Sequence, residues 1–298
     1  MTFTKMHDDE FEMSTELVQQ LIDTQFPEWA ALSLRPFASA GSDHFLFRLG
    51  DELSVRLPRK PDAAGQIEND LLRLPRFAGK LPLAIPQPVA LGQSTGQFPA
   101  TWGVYRWLEG EPAERQNIHD LCSAAKDLAR FIRALQAVDV KGGPLAQQPL
   151  ERGSALAMRE AWIRRSIAKL PPQFDQHAIL AVWEECLAVP AWAGTPVWLH
   201  NDLQSGNMLA QNGKLSAVID FGMMMVGDPA AELSVAWNWL DADARAVFRE
   251  VLAVDDATWA RGKGWALSIA AAEIPYYLHT NPTMVARSTA ALGEVLRG

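Results

Sequence analysis

Cysteine is scarce in this sequence of 298 residues, with Cys122 and Cys186 its two examples. Both lie in helix-like segments, at a spacing that suits neither a disulfide framework nor a zinc site, so they read as small core residues in a reducing compartment. Long apolar runs are lacking too. No stretch reaches the roughly 18 uncharged residues of a membrane helix, and residues 1–12 are acidic, without the basic flank and apolar run of a signal peptide. A basic excess is also missing. The 27 Lys and Arg face 35 Asp and Glu, a formal net charge of −8, which argues against nucleic acid or an anionic membrane as partner. There is no internal repeat and no low-complexity tract. The expectation these absences leave is a cytoplasmic globular protein.

What is present can fold. At 48% hydrophobic residues the chain can bury a sizeable core, as one large domain or two smaller ones. Its most informative stretch is Trp198-Leu199-His200-Asn201-Asp202-Leu203-Gln204-Ser205-Gly206-Asn207-Met208-Leu209. A short apolar run delivers His200 and Asp202 into a loop that Asn207 closes. Asn212-Gly213 then suits a two-residue hairpin turn, because both residues tolerate φ > 0. The return strand ends on Asp220-Phe221-Gly222. Asp202, Asn207 and Asp220 thereby converge at one end of a hairpin. A carboxylate to orient a hydroxyl, with hard oxygen ligands for Mg2+, is the equipment of phosphoryl transfer from a nucleotide. Alone, each residue reads as a loop former or a cap. Their order, Asp, Asn, hairpin, Asp-Phe-Gly, is that of the catalytic half of protein-kinase-like folds.

On these residues the chain resembles the aminoglycoside phosphotransferase family, whose signature H-G-D-L-x-x-G-N precedes a hairpin and I-D-F or I-D-W. Gly227-Asp228-Pro229-Ala230-Ala231-Glu232-Leu233 is similar to that family's G-D-P-x-x-D-L. Two departures stand out: Asn201 replaces a glycine, and Glu232 an aspartate. The resemblance implies an α+β, two-lobed protein-kinase-like fold. A small antiparallel-sheet lobe over residues 1–108 would bind the nucleotide, and a mainly helical lobe over residues 109–298 would carry the catalytic loop and the acceptor site. It implies Asp202 as the catalytic base and Asn207 and Asp220 as the Mg2+ ligands, with His200 a structural strut. In the first lobe, Ser39, Gly41 and Ser42 would cover the phosphates with backbone N–H groups, and Arg56 stands where a phosphate-binding lysine is usual. Arginine keeps the charge and offers a planar fork to phosphate. Its acidic partner falls on Asp70, or on Glu68 if the register is off by two. Tyr105-Arg106-Trp107-Leu108 resembles the hinge that holds a purine, with Tyr105 walling the pocket and the backbone of Arg106 to Leu108 making the contact.

Elsewhere the patterns predict a helix from Ser14, strands over residues 32–37, 44–49, 53–57, 89–92 and 100–107, and a helix over residues 61–77. Further helices are expected at residues 117–135, 155–169 and 175–189. Then come one from the Asp228 cap to about residue 240, one from Asp241, a longer one from Asp255 or Asp256 that Pro275 should kink or break near Ile274 to Leu278, and a last one to Arg297. Trp162 and Trp183 read as core before ligand platform. The function these readings support is transfer of the γ-phosphoryl group of ATP or GTP to a hydroxyl of a small molecule, an aminoglycoside or related antibiotic among the candidates. Acids in the second half, Glu232, Asp241, Asp243, Asp255 and Asp256, favour a cationic acceptor. One alternative is a non-catalytic nucleotide-binding module, kept open by Arg56 and Asn201. The other is a metal-dependent hydrolase, weakened by the lack of a second histidine at a ligand-like spacing.

Overall fold

The computed structural model describes residues 10–37 and 44–298. The chain divides into two compact units, one of Met1–Gly79 and Ala84–Glu109, the other of Lys80–Leu83 and Gly110–Gly298.

The first unit opens with α1 (Thr15–Gln25), started by the Ser14 hydroxyl, which accepts from the Leu17 N–H at 3.1 Å. Its buried face, Val18, Leu21 and Ile22, follows the three- and four-residue steps of the sequence. That face packs on a five-stranded antiparallel sheet formed by β1 (Leu34–Phe37), β2 (His44–Leu49), β3 (Leu53–Pro58), β4 (Pro88–Gly92) and β5 (Trp102–Arg106), in the order β1-β2-β3-β5-β4. Central β3 is buried along nearly its whole length, with Leu53, Val55 and Leu57 alternating with Ser54 and the half-buried Arg56. The single helix expected over residues 61–77 resolves into three pieces: a 3-10 turn Pro61–Ala63, α2 (Ala64–Arg73), and a second 3-10 turn Leu74–Phe77. Pro75 has no N–H for the α-helical bond and tightens the last turn.

In the second unit β6 (Glu111–Pro112) pairs with β8 (Met208–Gln211), which pairs with β9 (Lys214–Val218). A separate antiparallel ribbon joins β7 (Val197–Leu199) to β10 (Met225–Gly227). Helices α3 (Leu121–Gln136), α4 (Glu160–Ile167), α5 (Gln176–Ala188), α6 (Val235–Asn238), α7 (Ala242–Leu252), α8 (Asp256–Tyr277) and α9 (Pro282–Arg297) make up most of the rest. Asp120, Asp175, Asp241 and Asp255 cap α3, α5, α7 and α8 by accepting backbone N–H groups. Trp183 is wholly buried and its indole donates to Glu160, a core role. Cys186 is buried and Cys122 half-buried, both as free thiols.

The helix expected from Asp228 to about residue 240 is not continuous. Asp228 does cap the next segment, accepting from Ala230 N–H at 2.9 Å, but Pro229–Ser234 is a 3-10 stretch and α6 is a single α turn. Tertiary contacts hold it: Asp228 pairs with buried Arg261 at 2.8 Å, and the Glu232 carboxylate is committed to backbone elsewhere. The longer helix ends near Pro275, as expected: α8 runs two residues beyond it and stops at Tyr277. Helix α8 packs along α9 and the 3-10 stretch, and α3 along α7. No helix among the described residues is long and apolar enough to cross a membrane.

Candidate active site

Ribbon β7–β10 feeds the loop that carries Asp202. The hairpin β8–β9 leaves it through Asn212 and Gly213, at φ 52° and 74°, the positive pair a tight two-residue turn requires. Asn207 donates through its side-chain amide to the Asp202 carboxylate at 2.7 Å and to the Asp202 carbonyl at 2.8 Å. That choice of donor turns the amide oxygen of Asn207 away from Asp202. The second oxygen donor, Asp220, follows β9 in the left-handed region at φ 64°. Of the four non-glycine residues with positive φ among those described, Asn201 and Asp220 both belong to this loop region.

His200 is fully buried and fixes the geometry. One ring nitrogen, Nε2, lies 2.9 Å from the Ile219 carbonyl, so it must carry the proton, and Nδ1 accepts the backbone N–H of Asp202 at 3.2 Å. Burial lowers the pKa of the ring, consistent with this neutral tautomer. Both nitrogens are occupied, which removes His200 from any set of metal ligands. Among the described residues no group of three or more His, Cys, Asp or Glu could hold a metal ion. Magnesium does not need one, because it takes one or two protein oxygens and fills its shell with phosphate and water. The Asn207 amide oxygen and the Asp220 carboxylate fit that demand.

Both departures from the resembling signature have a physical account. Asn201 sits at φ 70°, where glycine is usual and asparagine is among the better-tolerated alternatives. Its amide donates to the carbonyls of Arg152 and Met223 at 2.9 and 3.2 Å. Glu232, also fully buried, accepts the backbone N–H groups of His200 and Asn201. Burial raises its pKa to about 7 despite those two donors. It is a clamp on the loop's backbone.

Sequence reading missed Arg152. It lies 50 residues before Asp202, in a turn-rich stretch that carries no motif, yet it donates to one oxygen of Asp202 at 2.7 Å and to the Asn201 carbonyl at 2.6 Å. The stretch is pinned to β10, where the Asp228 N–H reaches the Gly153 carbonyl at 2.8 Å and the Ala146 N–H the Val226 carbonyl at 2.9 Å. Gln204, also unassigned by sequence, donates to the other Asp202 oxygen at 3.1 Å. Burial alone would raise the pKa of Asp202, but the Arg152 charge and hydrogen bond outweigh it, with help from the Gln204 hydrogen bond, and hold the carboxyl below its usual range.

In the first unit Arg56 on β3 meets Asp70 on α2 at 3.3 Å, and the Tyr105 hydroxyl donates to the same Asp70 oxygen at 3.1 Å. The alternative partner, Glu68, is exposed. Burial and the Asp70 charge push the Tyr105 hydroxyl far above its ordinary pKa, so it stays a donor. The guanidinium of Arg56 lies 3.4 Å from His44 Nδ1, and burial with two flanking arginines keeps that ring neutral. Arg106 is exposed and pairs with Glu52. Its backbone N–H goes to Gln87 and that of Trp107 to Glu52, so of the expected purine-contacting segment only Leu108 keeps its N–H from such a bond among the described residues. Ser39, Gly41 and Ser42 lie outside the described residues.

The acids expected to attract a cation sit elsewhere. Asp241 and Asp255 cap helices, Asp256 pairs with Arg249, Asp243 is exposed, and Glu232 is sealed inside, so none lines the pocket beside Asp202.

A sheet-bearing unit followed by a mainly helical unit with this Asp-Asn-Asp loop is the architecture of protein-kinase-like phosphotransferases. The model of the phosphotransferase enzyme family matches residues 33–265, and the chain belongs to that family. It is 25% identical over 139 residues to an aminoglycoside 3'-phosphotransferase of Escherichia coli, a match covering 46% of this chain and 48% of that protein, so the chain spans about half the length of the curated relative it matches. Among solved structures it is similar to the GDP complex of wild-type aminoglycoside 2'-phosphotransferase-IIIa, with TM-score 0.76, 17% identity, and coverage of 96% of this chain and 99% of that one. It is similar also to a macrolide 2'-phosphotransferase from Brachybacterium faecium, with TM-score 0.63, 22% identity, and coverage of 93% and 97%. At such identities these likenesses establish the fold alone.

Proposed function

We propose that the protein transfers the γ-phosphoryl group of ATP or GTP, with Mg2+, to a hydroxyl of a small molecule. The observation that carries this reading is the Asp202–Asn207 bond at 2.7 Å, inside a loop whose backbone Glu232 and His200 both clamp. Asp202 orients the acceptor hydroxyl and receives its proton late, which suits a carboxylate charged well below neutral pH and a loose transition state. Asn207 and Asp220 hold the metal, which when bound supplies charge neutralisation at the phosphates. Residues 1–108 serve as the nucleotide lobe and residues 109–298 as the catalytic and acceptor lobe. Arg56, steadied by Asp70 and Tyr105, grips phosphate oxygens, as do the N–H groups around Ser39, Gly41 and Ser42. The purine contact falls on the backbone at Leu108. Relatives named for GDP, ADP and ATP complexes and for kanamycin, streptomycin, gentamicin and macrolides support a nucleotide donor and a small acceptor. We place the activity in the cytoplasm, where nucleotide triphosphates and free magnesium are held.

The non-catalytic alternative loses its two supports. Asn201 occupies the backbone conformation that glycine would, and Arg56 has its acidic partner. Release of ADP or GDP with Mg2+, compared with the same assay in EDTA, tests the reading. Turnover that needs the metal is expected; none with either nucleotide, or equal rates in EDTA, refutes it.

A further inference from the structure

The pocket beside Asp202 lies wholly in the second unit and is lined by Arg152, Gln204, Asn238, Glu273 and Arg287 among others. Its cavity volume is about 30 Å³, room for roughly one water, beneath a mouth open to solvent. Both oxygens of Asp202 are already taken, one by Arg152 and the other by Asn207 and Gln204. A reacting hydroxyl has to share the oxygen that Arg152 holds or displace one of these donors.

The remaining lining residues show what else must arrive. Arg287 on α9 is half-buried and donates to the thioether sulfur of Met284 at 2.8 Å, a weak acceptor for a guanidinium, and makes no ion pair among the described residues. Two amide oxygens, Gln204 Oε1 and Asn238 Oδ1, are buried without a donor. Their orientation is fixed, because the amide nitrogen of Gln204 donates to Asp202 and that of Asn238 to the Leu203 carbonyl, each at 3.1 Å. Glu273 accepts the Ser288 hydroxyl with one oxygen, and the other receives no donor among the described residues. Orphaned acceptors call for N–H or O–H groups, and an unneutralised guanidinium calls for an anion.

We propose that this pocket takes a small hydroxylated acid, with its carboxylate on Arg287 and Arg152, its other donors on Gln204, Asn238 and Glu273, and its reacting hydroxyl on Asp202. The proposal rests on the phosphotransferase reading above. The acceptor's anion draws Arg152 away and uncovers an Asp202 oxygen, so the base is exposed when the fitting acceptor is present. The hydroxyl oxygen then bonds to the γ-phosphorus, the bond from that phosphorus to the β–γ bridging oxygen breaks, the nucleoside diphosphate leaves, and the hydroxyl proton passes to Asp202. A polycation brings no anion for Arg287, whose charge opposes it.

Mg2+-dependent diphosphate release is measured on the full chain with L-serine and L-homoserine as amino-bearing acids, D-glycerate and D-gluconate as polyhydroxy acids, glycerol and glucose as neutral counterparts, and kanamycin as polycation. Acids of at least one group are expected to raise release above the acceptor-free rate and above the neutral compounds. Arg287→Ala should raise their KM about tenfold or more while kcat changes less, and Arg287→Lys should recover part of the loss at unchanged melting temperature. Glu273→Gln separates the sources, since it weakens the amino-bearing acids more than the polyhydroxy ones. Preferred turnover of kanamycin or of neutral compounds, or an unchanged KM in Arg287→Ala, overturns the proposal. Metal-dependent release in any of these assays reports on the parent reading: its presence with no response to any acid overturns the acceptor proposal alone, and its absence in all of them overturns both.

Discussion

Replacing Asn201 separates backbone conformation from hydrogen bonding at the head of the catalytic loop. Its φ of 70° is one that glycine adopts freely and alanine resists, at a cost of about 1–2 kcal/mol. Its amide also donates to the Arg152 and Met223 carbonyls at 2.9 and 3.2 Å, bonds with a net value of roughly 1 kcal/mol each. Asn201→Gly loses both bonds but regains some conformational ease, so a destabilisation of about 1–2 kcal/mol is expected. Asn201→Ala loses the same bonds and adds the strain, for a total of about 3–4 kcal/mol. The glycine variant should also keep most of its turnover, because Glu232 still holds the loop's backbone. Urea unfolding followed by circular dichroism reads the difference. An alanine variant as stable as the glycine variant would refute the conformational argument, and a glycine variant equal to the parent would refute the hydrogen-bonding one.

Arg56→Lys should retain measurable turnover while Arg56→Ala and Asp70→Ala lose most of it; equal kinetics in Arg56→Ala and the parent would place that guanidinium outside the reaction. Glu232 gives a pH dependence of defined sign. Its pKa is raised from 4.5 in the unfolded chain to about 7 in the fold, so the native state binds the extra proton and stability falls as pH rises from about 4.5 through 7. Glu232→Gln should flatten that slope, read as urea midpoints at pH 5.5 and pH 8, and a slope identical to the parent's would assign the dependence to other groups.

Sequence displayed the local devices and concealed the distant ones. The Ser14 cap, β2 and β3, and the Asn212-Gly213 turn depend on neighbours within a few residues, and there periodicity and turn chemistry point to one answer. The Asp228 segment was legible as a cap but not as a 3-10 stretch, since its conformation is set by Arg261, far along the chain, and by Glu232 reaching back to residues 200 and 201. Arg152 had no local signal at all. Its stretch is held by backbone bonds to β10, and its role exists only once Asp202 is beside it. The acids of the second half illustrate the reverse error, for their number suggested a field while their positions serve helix starts and one buried clamp.

The central claim is that Asp202 and Asp220 do different work in one reaction, and titration of each variant with a non-hydrolysable nucleotide in Mg2+, beside steady-state turnover, tests it most directly. Asp202→Asn should bind the nucleotide as the parent does while kcat falls roughly 10²- to 10⁴-fold, because a proton acceptor is lost and the metal ligands stay. In Asp220→Asn, nucleotide affinity in Mg2+ and turnover should fall together, because a charged ligand of the phosphate-bridging metal is gone. Loss of nucleotide binding in Asp202→Asn with its retention in Asp220→Asn, or normal turnover in both, would contradict the account.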